Sequence, residues 1–115
     1  MNNKRGLIIA LIALTAVSAY RLVQFGPAEG TVQHAAEGAS CLGVTTDVGA
    51  AAGQRVDVTL TDIAPVEYGG TVTQGDRLAS DAEGRAVAVT GTAKSVGIAM
   101  VSGKAGDIGG VLLRG

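Results

Sequence analysis

The chain has 115 residues, with nine basic and ten acidic side chains and a net charge of −1, and this length corresponds to one domain with a modest core. Nucleic-acid binding needs clustered Lys and Arg or stacked aromatic side chains, and the near-neutral charge and only three aromatic residues, Tyr20, Phe25 and Tyr68, disfavour it. The eighteen glycines are about twice the usual share of roughly 7%, so we expect many tight turns, a small core and stabilisation by association.

The first nineteen residues combine a basic start at Lys4 and Arg5, an apolar run over residues 7–17 and small residues at 17–19. This pattern is typical of a secretory signal. The run has eleven residues, whereas a helix needs roughly 20 to cross a bilayer. It also fits a strand covered on both faces, and periodicity alone does not separate that from a buried helix. We expect residues 1–19 to form an apolar arm or first strand, and residues 20–115 to form a single β domain.

From residue 20 onward, short runs of β-forming residues alternate with turn residues. Residues 55–60 alternate most clearly, and Pro65 places its strand at an edge or a bend. Because glycine interrupts every longer helical window after residue 25, the sequence predicts an all-β barrel or sandwich. The predicted strands cover residues 20–25, 31–33, 41–45, 55–60, 63–68, 86–90, 95–101 and 110–113.

Residues 75–90 predict a hairpin, in which Asp81 opens the turn and Gly84 supplies the positive φ at its end. A further turn is predicted at residues 103–107. Residues 43–58 and 97–113 also resemble each other weakly, since each stretch passes from a Gly-aliphatic pair through an Ala/Gly turn into a strand. A shared hairpin geometry explains this similarity as well as a duplication does, and we favour the shared geometry.

The side chains that could carry chemistry are few. His34 has no Ser, Cys or carboxylate beside it in the sequence, so a solvent-exposed strand-end or loop position is favoured over a catalytic base. Cys41 is expected to be a small buried hydrophobe, and zinc would need more Cys and His ligands than these two. Asp76, Asp81 and Glu83 lack the calcium-loop spacing, which favours turn capping. The sequence therefore predicts no enzymatic activity, no catalytic residue, no metal site and no cofactor.

Eight short motifs follow one another between residues 20 and 113. They are YRLVQFG at 20–26, LGV at 42–44, GQRVDV at 53–58, VEYGGTV at 66–72, GDRLASD at 75–81, GRAVA at 84–88, VGIA at 96–99 and AGDIG at 105–109. Each motif is weak alone, but their combined order resembles the capsid cement, or head decoration, proteins of tailed bacteriophages.

This resemblance implies a small β-barrel or β-tulip-like domain on the outer surface of the virion capsid. It implies that the major capsid protein is the partner and that the subunit is a homo-oligomer, with a trimer favoured. It further implies reinforcement of the shell against internal DNA pressure, with no direct contact to nucleic acid or membrane.

The strongly apolar start departs from the more polar starts of that family. Symmetric repetition on a lattice multiplies weak contacts, so we expect this segment to pack on an adjacent subunit or on the major capsid protein. The interface residues predicted on this basis are Leu7, Ile8, Ile9, Leu11 and Ile12.

Two other functions compete with the capsid role. One is a secreted or membrane-anchored bacterial β-domain in which residues 1–19 are a signal or anchor segment, and loss of those residues from the native protein would favour it. The other is a sugar- or peptide-binding accessory domain, which would call for exposed aromatic side chains. The chain has few of these, so we rank this function last.

Overall fold

The computed structural model describes residues 8–89, 91 and 94–113. These residues form ten strands and no helix, which confirms the all-β prediction. The strands form a closed barrel in the order β1-β3-β2-β4-β5 and a five-stranded sheet in the order β6-β10-β9-β7-β8. Their bounds are β1 Ile8–Ala13, β2 Leu22–Phe25, β3 Thr31–His34, β4 Gly43–Thr45, β5 Arg55–Thr59, β6 Asp62–Glu67, β7 Arg77–Ser80, β8 Ala86–Ala88, β9 Gly97–Ala99 and β10 Ile108–Leu113.

The predicted strands match the observed ones closely, with differences at their ends. Pro65 lies in β6, at the edge of the second sheet, as predicted. An edge position suits proline, because proline has no N–H to donate to a second neighbouring strand. The predicted hairpin forms between β7 and β8, and Gly84 has a φ of 78° in its turn.

The N-terminal apolar run is part of the barrel. Ile8 to Ile12 pair antiparallel with the whole of β5, and Ile12 and Ala13 pair parallel with the start of β3. Residues 8–13 are therefore a first strand, one of the two forms expected for residues 1–19, and they are not helical. The boundary expected near residue 20 stays a prediction.

The second half of the chain repeats the strand order and pairing of the first. In residues 8–59 the first strand pairs with the fifth, the fifth with the fourth, the fourth with the second and the second with the third. Residues 62–113 repeat these four pairings. The parallel contact between Ala13 and Val32 that closes the barrel recurs as a single bridge between Tyr68 and Ala86. A shared hairpin geometry was thus too narrow an interpretation of the sequence similarity.

Gly43 and Gly97 show how closely the halves correspond. A Cβ at Gly43 would collide with the carbonyl oxygen of Thr59 on β5. A Cβ at Gly97 would collide in the same way with the carbonyl oxygen of Leu112 on β10. Both positions need glycine because the neighbouring backbone occupies the space of a side chain.

The buried side chains form two groups, and the larger of them joins the two halves. The first barrel is filled by small aliphatic residues, mainly valine. The larger cluster fills the second sheet around Tyr68, whose hydroxyl donates to the carbonyl of Val101 at 2.8 Å. Leu22, Ala35 and Val44 of the first half also belong to this larger cluster. The outer side of β2 and β4 is therefore buried against the second half, and the two halves share a core.

Polar contacts reinforce the same junction. The backbone N–H of Leu22 donates to the carbonyl of Gly84 at 2.7 Å, and that of Glu67 donates to the carbonyl of Tyr20 at 2.9 Å. The Arg21 guanidinium lies 3.3 Å from the Glu67 carboxylate and also donates to the carbonyl of Glu83 at 3.0 Å. These contacts tie the start of β2 and the loop before it to β6 and to the turn between β7 and β8.

Candidate functional site

The outward side of β1 carries exposed aliphatic side chains. Ile8 and Ile12 point away from the barrel interior and are 39% and 41% exposed. Ile9 and Leu11 alternate with them and are half-buried, and Leu11 packs against the core of the barrel. Strand alternation thus divides the predicted interface residues, so that only Ile8 and Ile12 of the described ones are available to a partner. Leu7 lies outside the described residues.

The outward neighbours of Ile8 and Ile12 are mixed in character. Arg55 lies directly opposite Ile12, and Asp57 lies opposite Ala10. Both charged side chains are exposed on β5. This first outer face, formed by Ile8, Ala10 and Ile12 with Arg55 and Asp57, therefore offers hydrophobic contact together with one positive and one negative charge.

The second sheet has a far more apolar outer surface. Ile63, Met100 and Ile108 are 45%, 40% and 51% exposed. The register of β6, β10 and β9 sets these side chains in adjoining rows on one side of the sheet. We call this surface the second outer face, and its apolar members are Ile63, Pro65, Ile98, Met100, Ile108, Gly110 and Leu112. The same register places two charged side chains at its margins, Glu67 beside Ile108 and Arg77 beside Ile98.

A cleft of about 240 Å³ lies where the two outer faces meet, lined in part by Ile8, Tyr20, Ile63 and Pro65. Tyr20 has a φ of 59° and is the one non-glycine residue with positive φ among those described. This left-handed conformation costs roughly 1–2 kcal/mol for a residue with a Cβ, and such strain is concentrated at functional positions. The cleft therefore joins the two outer faces at a strained residue.

A second cleft of about 410 Å³ opens beside the shared core, and Cys41 is among its lining residues. Burial raises the pKa of the Cys41 thiol to about 11. At neutral pH the thiol is protonated and is a poor nucleophile. Cys41 packs against the shared core as a small hydrophobe, as predicted, but it is partly buried and not fully buried as expected.

His34 ends β3, which confirms the predicted strand-end position, but it is half-buried and not solvent-exposed as expected. Its Nε2 accepts a hydrogen bond from the backbone N–H of Ser18 at 3.0 Å. Burial, followed by the positive charge of Arg21, lowers the pKa of His34, and Glu83 and Asp81 oppose this shift. The imidazole is therefore neutral at pH 7 and holds the segment before β2 against the end of β3.

Of the three acidic residues around the hairpin, Asp76 and Asp81 cap turns, as predicted, whereas the exposed Glu83 carboxylate lies 3.3 Å from the Arg85 guanidinium. Asp81 Oδ1 accepts from the backbone N–H groups of Glu83 and Arg85 at 2.8 and 2.9 Å. Its Oδ2 accepts from the Arg85 guanidinium at 2.9 Å. Asp76 accepts from the backbone N–H of Thr73 at 3.0 Å. These carboxylates are occupied by the backbone and by Arg85.

The described residues bring together no three His, Cys, Asp or Glu side chains that could hold a metal ion. Over the same part of the chain, no helix has the length and apolar character needed to span a membrane. The surface features that stand out are the two outer faces, and these are suited to protein contact.

The apolar run noted in the sequence contributes Ile8 and Ile12 to the first outer face, whereas no sequence feature had pointed to the second outer face. Residues 108–113 are apolar or glycine at every position, so their sequence does not reveal which side chains face outward. The alternation along β6 could have indicated the second outer face, because exposed Ile63 and Pro65 alternate with buried Ala64 and Val66.

Comparisons with known proteins agree with this arrangement. Among solved structures, the N base of the head fibre gp8.5 of bacteriophage phi29 has the same fold, with a TM-score of 0.78. That match is 21% identical and covers 94% of this chain and 93% of the other. No curated protein matches the chain. The family model described as phage cement protein matches residues 2–114, and because this match spans both five-stranded halves, the chain belongs to the phage cement protein family.

Proposed function

We propose that this protein binds the major capsid protein of a tailed phage and reinforces the assembled shell. The family gives the chain a structural role associated with the capsid, at the outer surface of the virion. It is a family of structural proteins and not a known family of enzymes. Binding to the major capsid protein, reinforcement against internal DNA pressure and assembly as a homo-oligomer, with a trimer favoured, are the further steps of the proposal.

The observation that carries this proposal is the first outer face. The exposed Ile12 lies where β1 pairs with both β3 and β5, whereas the exposed Ile8 pairs with β5 alone. The backbone that carries these side chains is already ordered, so little backbone entropy is lost when they bind. An assembled shell is stable in water before this protein binds, and interfaces between such preformed surfaces are about as polar as the rest of a protein surface. The charged Arg55 and Asp57 beside the two isoleucines are compatible with an interface of that kind.

Because many copies bind one capsid lattice, each copy needs only a weak contact for stable binding. Two hydrophobic side chains and a pair of charges give modest affinity per subunit. Linking subunits into an oligomer raises the effective concentration of the second and third contacts, so overall binding exceeds that of one site by roughly 10²–10⁴-fold. The proposed trimer would act in this way.

The exported alternative fits the fold poorly. Cleavage after Ala19 would remove β1, because that strand covers residues Ile8–Ala13. The edges of β3 and β5 would then lose their partner and expose unpaired backbone groups. Export with removal of residues 1–19 is therefore disfavoured by the fold.

Point variants test capsid binding better than a truncation. Deleting residues 1–14 would remove β1 and open the barrel, so lost binding would not be distinguished from lost folding. The double variant I8Q/I12Q changes only outward side chains on the intact strand. Val48, which is 66% exposed on a loop, provides the matched control V48Q.

The assay is cosedimentation of purified protein with undecorated heads. We expect I8Q/I12Q to bind at least about tenfold more weakly than wild type, while V48Q binds normally and both keep the wild-type thermal transition. Normal decoration of heads by the folded I8Q/I12Q variant would contradict the proposed contact.

A further inference from the structure

The internal repeat provides a comparison within one molecule. Both halves build the same five-stranded arrangement with the same register. A side chain that the fold itself requires should therefore keep its character at equivalent positions. Where an outward residue is polar in one half and apolar in the other, the fold does not require the apolar side chain. We infer that a contact with another surface requires it.

Four positions on the outward side change in this way, and one changes in the opposite direction, since the exposed Ile12 is equivalent to the charged Glu67. The cross-strand pairs make Arg55 equivalent to Ile108, Asp57 to Gly110, and Thr59 to Leu112. Thr46 is equivalent to Met100, because each donates its backbone N–H to the residue of the fifth strand opposite it, Asp57 or Gly110. The first half folds with polar residues at all four positions. The second half has apolar residues or glycine there, and three of its outer side chains are at least 40% exposed.

We propose that the second outer face is the surface through which this chain associates with a second copy of itself. This inference rests on the proposed function, since it names the surface that would build the proposed oligomer. The first outer face then remains available to the capsid.

The size of the face fits a contact between copies. Its exposed apolar area is on the order of 400 Å², comparable with the largest and often functional patch on a typical monomer. A stable interface buries about 800 Å² per partner, of which somewhat more than half is apolar. The second outer face thus supplies most of the apolar area that one partner of a stable oligomer needs.

The chemistry of the face also favours a second copy over the capsid. A capsid that is stable in water before decoration presents a surface without large apolar patches. A permanent interface between copies is more hydrophobic, because its surfaces are not exposed separately for long. The second outer face is uncharged at its centre, and the partner that matches it is another apolar surface.

The shape of the face supplies a second reason. A Cβ at Gly110 would lie 3.5 Å from Ile63 Cγ2 and 4.0 Å from Met100 Cβ, which are ordinary contact distances. Gly110 therefore forms a shallow depression between protruding side chains. Such a surface carries both the protrusions and the depression that two identical copies need in order to interlock.

The test transplants first-half residues into the second half. The variant I108R/G110D places on β10 the residues that β5 carries at the same positions, so the fold tolerates them and the net charge is unchanged. The matched control R55Q/D57N changes the equivalent positions on the first outer face. Sedimentation equilibrium of the full-length proteins, without heads, measures the association of each.

We expect the wild type and R55Q/D57N to be oligomers at micromolar concentration. I108R/G110D should be a monomer, or should have a dissociation constant raised at least about tenfold, with an unchanged circular dichroism spectrum. If the double variant does not fold, the single variant I108R decides by the same criterion. A monomeric wild type, or a folded I108R/G110D that remains an oligomer, would overturn the inference.

Head binding separates this inference from the proposed function. An oligomer that behaves as expected but never binds heads would contradict the capsid role alone. A monomeric wild type whose head binding is abolished by I108R/G110D would mean that the second outer face contacts the capsid, and the self-association inference would be wrong.

Discussion

Replacing Gly97 by alanine should destabilise the protein by about 2–3 kcal/mol. The added Cβ would collide with the Leu112 carbonyl oxygen and would lie 2.9 Å from Val111 Cγ1. Overpacking of this kind costs roughly 1–3 kcal/mol. Displacing β9 from β10 also weakens a backbone hydrogen bond, worth about 1 kcal/mol. Alanine also lowers the conformational entropy of the unfolded chain, and this stabilisation offsets about 0.4–1 kcal/mol of the cost.

The equivalent variant Gly43→Ala should cost a similar amount, because its Cβ meets the Thr59 carbonyl oxygen and lies 2.9 Å from Val58 Cγ1. Urea and thermal unfolding followed by circular dichroism measure both variants. For a chain of this size the expected fall in Tm is roughly 10 °C. Since the halves share a core, each variant should lower one common transition.

Gly70→Ala is the matched control. Its Cβ would approach Val87 Cγ1 at 3.9 Å, an ordinary contact, so stability should stay within about 0.5 kcal/mol of the wild type. If Gly97→Ala were as stable as Gly70→Ala, the close approach of β9 and β10 inferred from the structure would be wrong.

Three further predictions concern buried polar groups. Tyr68→Phe removes the donor to Val101 and should cost about 1 kcal/mol in chemical denaturation; an unchanged midpoint would contradict that hydrogen bond. The pKa of His34 is lowered in the folded state, so its contribution to stability is present above the unfolded pKa of about 6.5 and is lost as pH falls. His34→Gln keeps an acceptor for Ser18 and should flatten the pH dependence of Tm between about pH 7.5 and 5.5; an unaltered slope would exclude His34 as its source. With its pKa raised to about 11, Cys41 should react with iodoacetamide at pH 8 roughly 100-fold more slowly in the native state than in urea, as followed by mass spectrometry.

Local features of the fold were predictable from the sequence. The turn at residues 81–84 was recognisable because an aspartate and a glycine within four residues specify a hairpin turn by themselves. Pro65 alone limited β6 to an edge or a bend, and the structure shows an edge. The secondary structure class followed from glycines that interrupt every longer helical window.

Pairing between distant segments was decided by the tertiary structure. The parallel contact of β1 with β3 and the antiparallel contact of β1 with β5 join residues far apart in the chain. No local pattern specifies such partners, because strand register depends on how whole faces are buried. The apolar N-terminal run was therefore open to interpretation as a signal, an arm, a helix or a strand until its partners were known.

By itself, the sequence determined that this protein is an all-β chain with sharp turns and few reactive side chains, because turn chemistry and glycine content act over a few residues. Only the tertiary structure decided that two equivalent halves exist and which aliphatic side chains remain outside. The side chain at each position of β10 is apolar or absent, and a strand apolar on both faces shows its exposed side only when its neighbours are in place. The second outer face is accordingly a property of the assembled sheets.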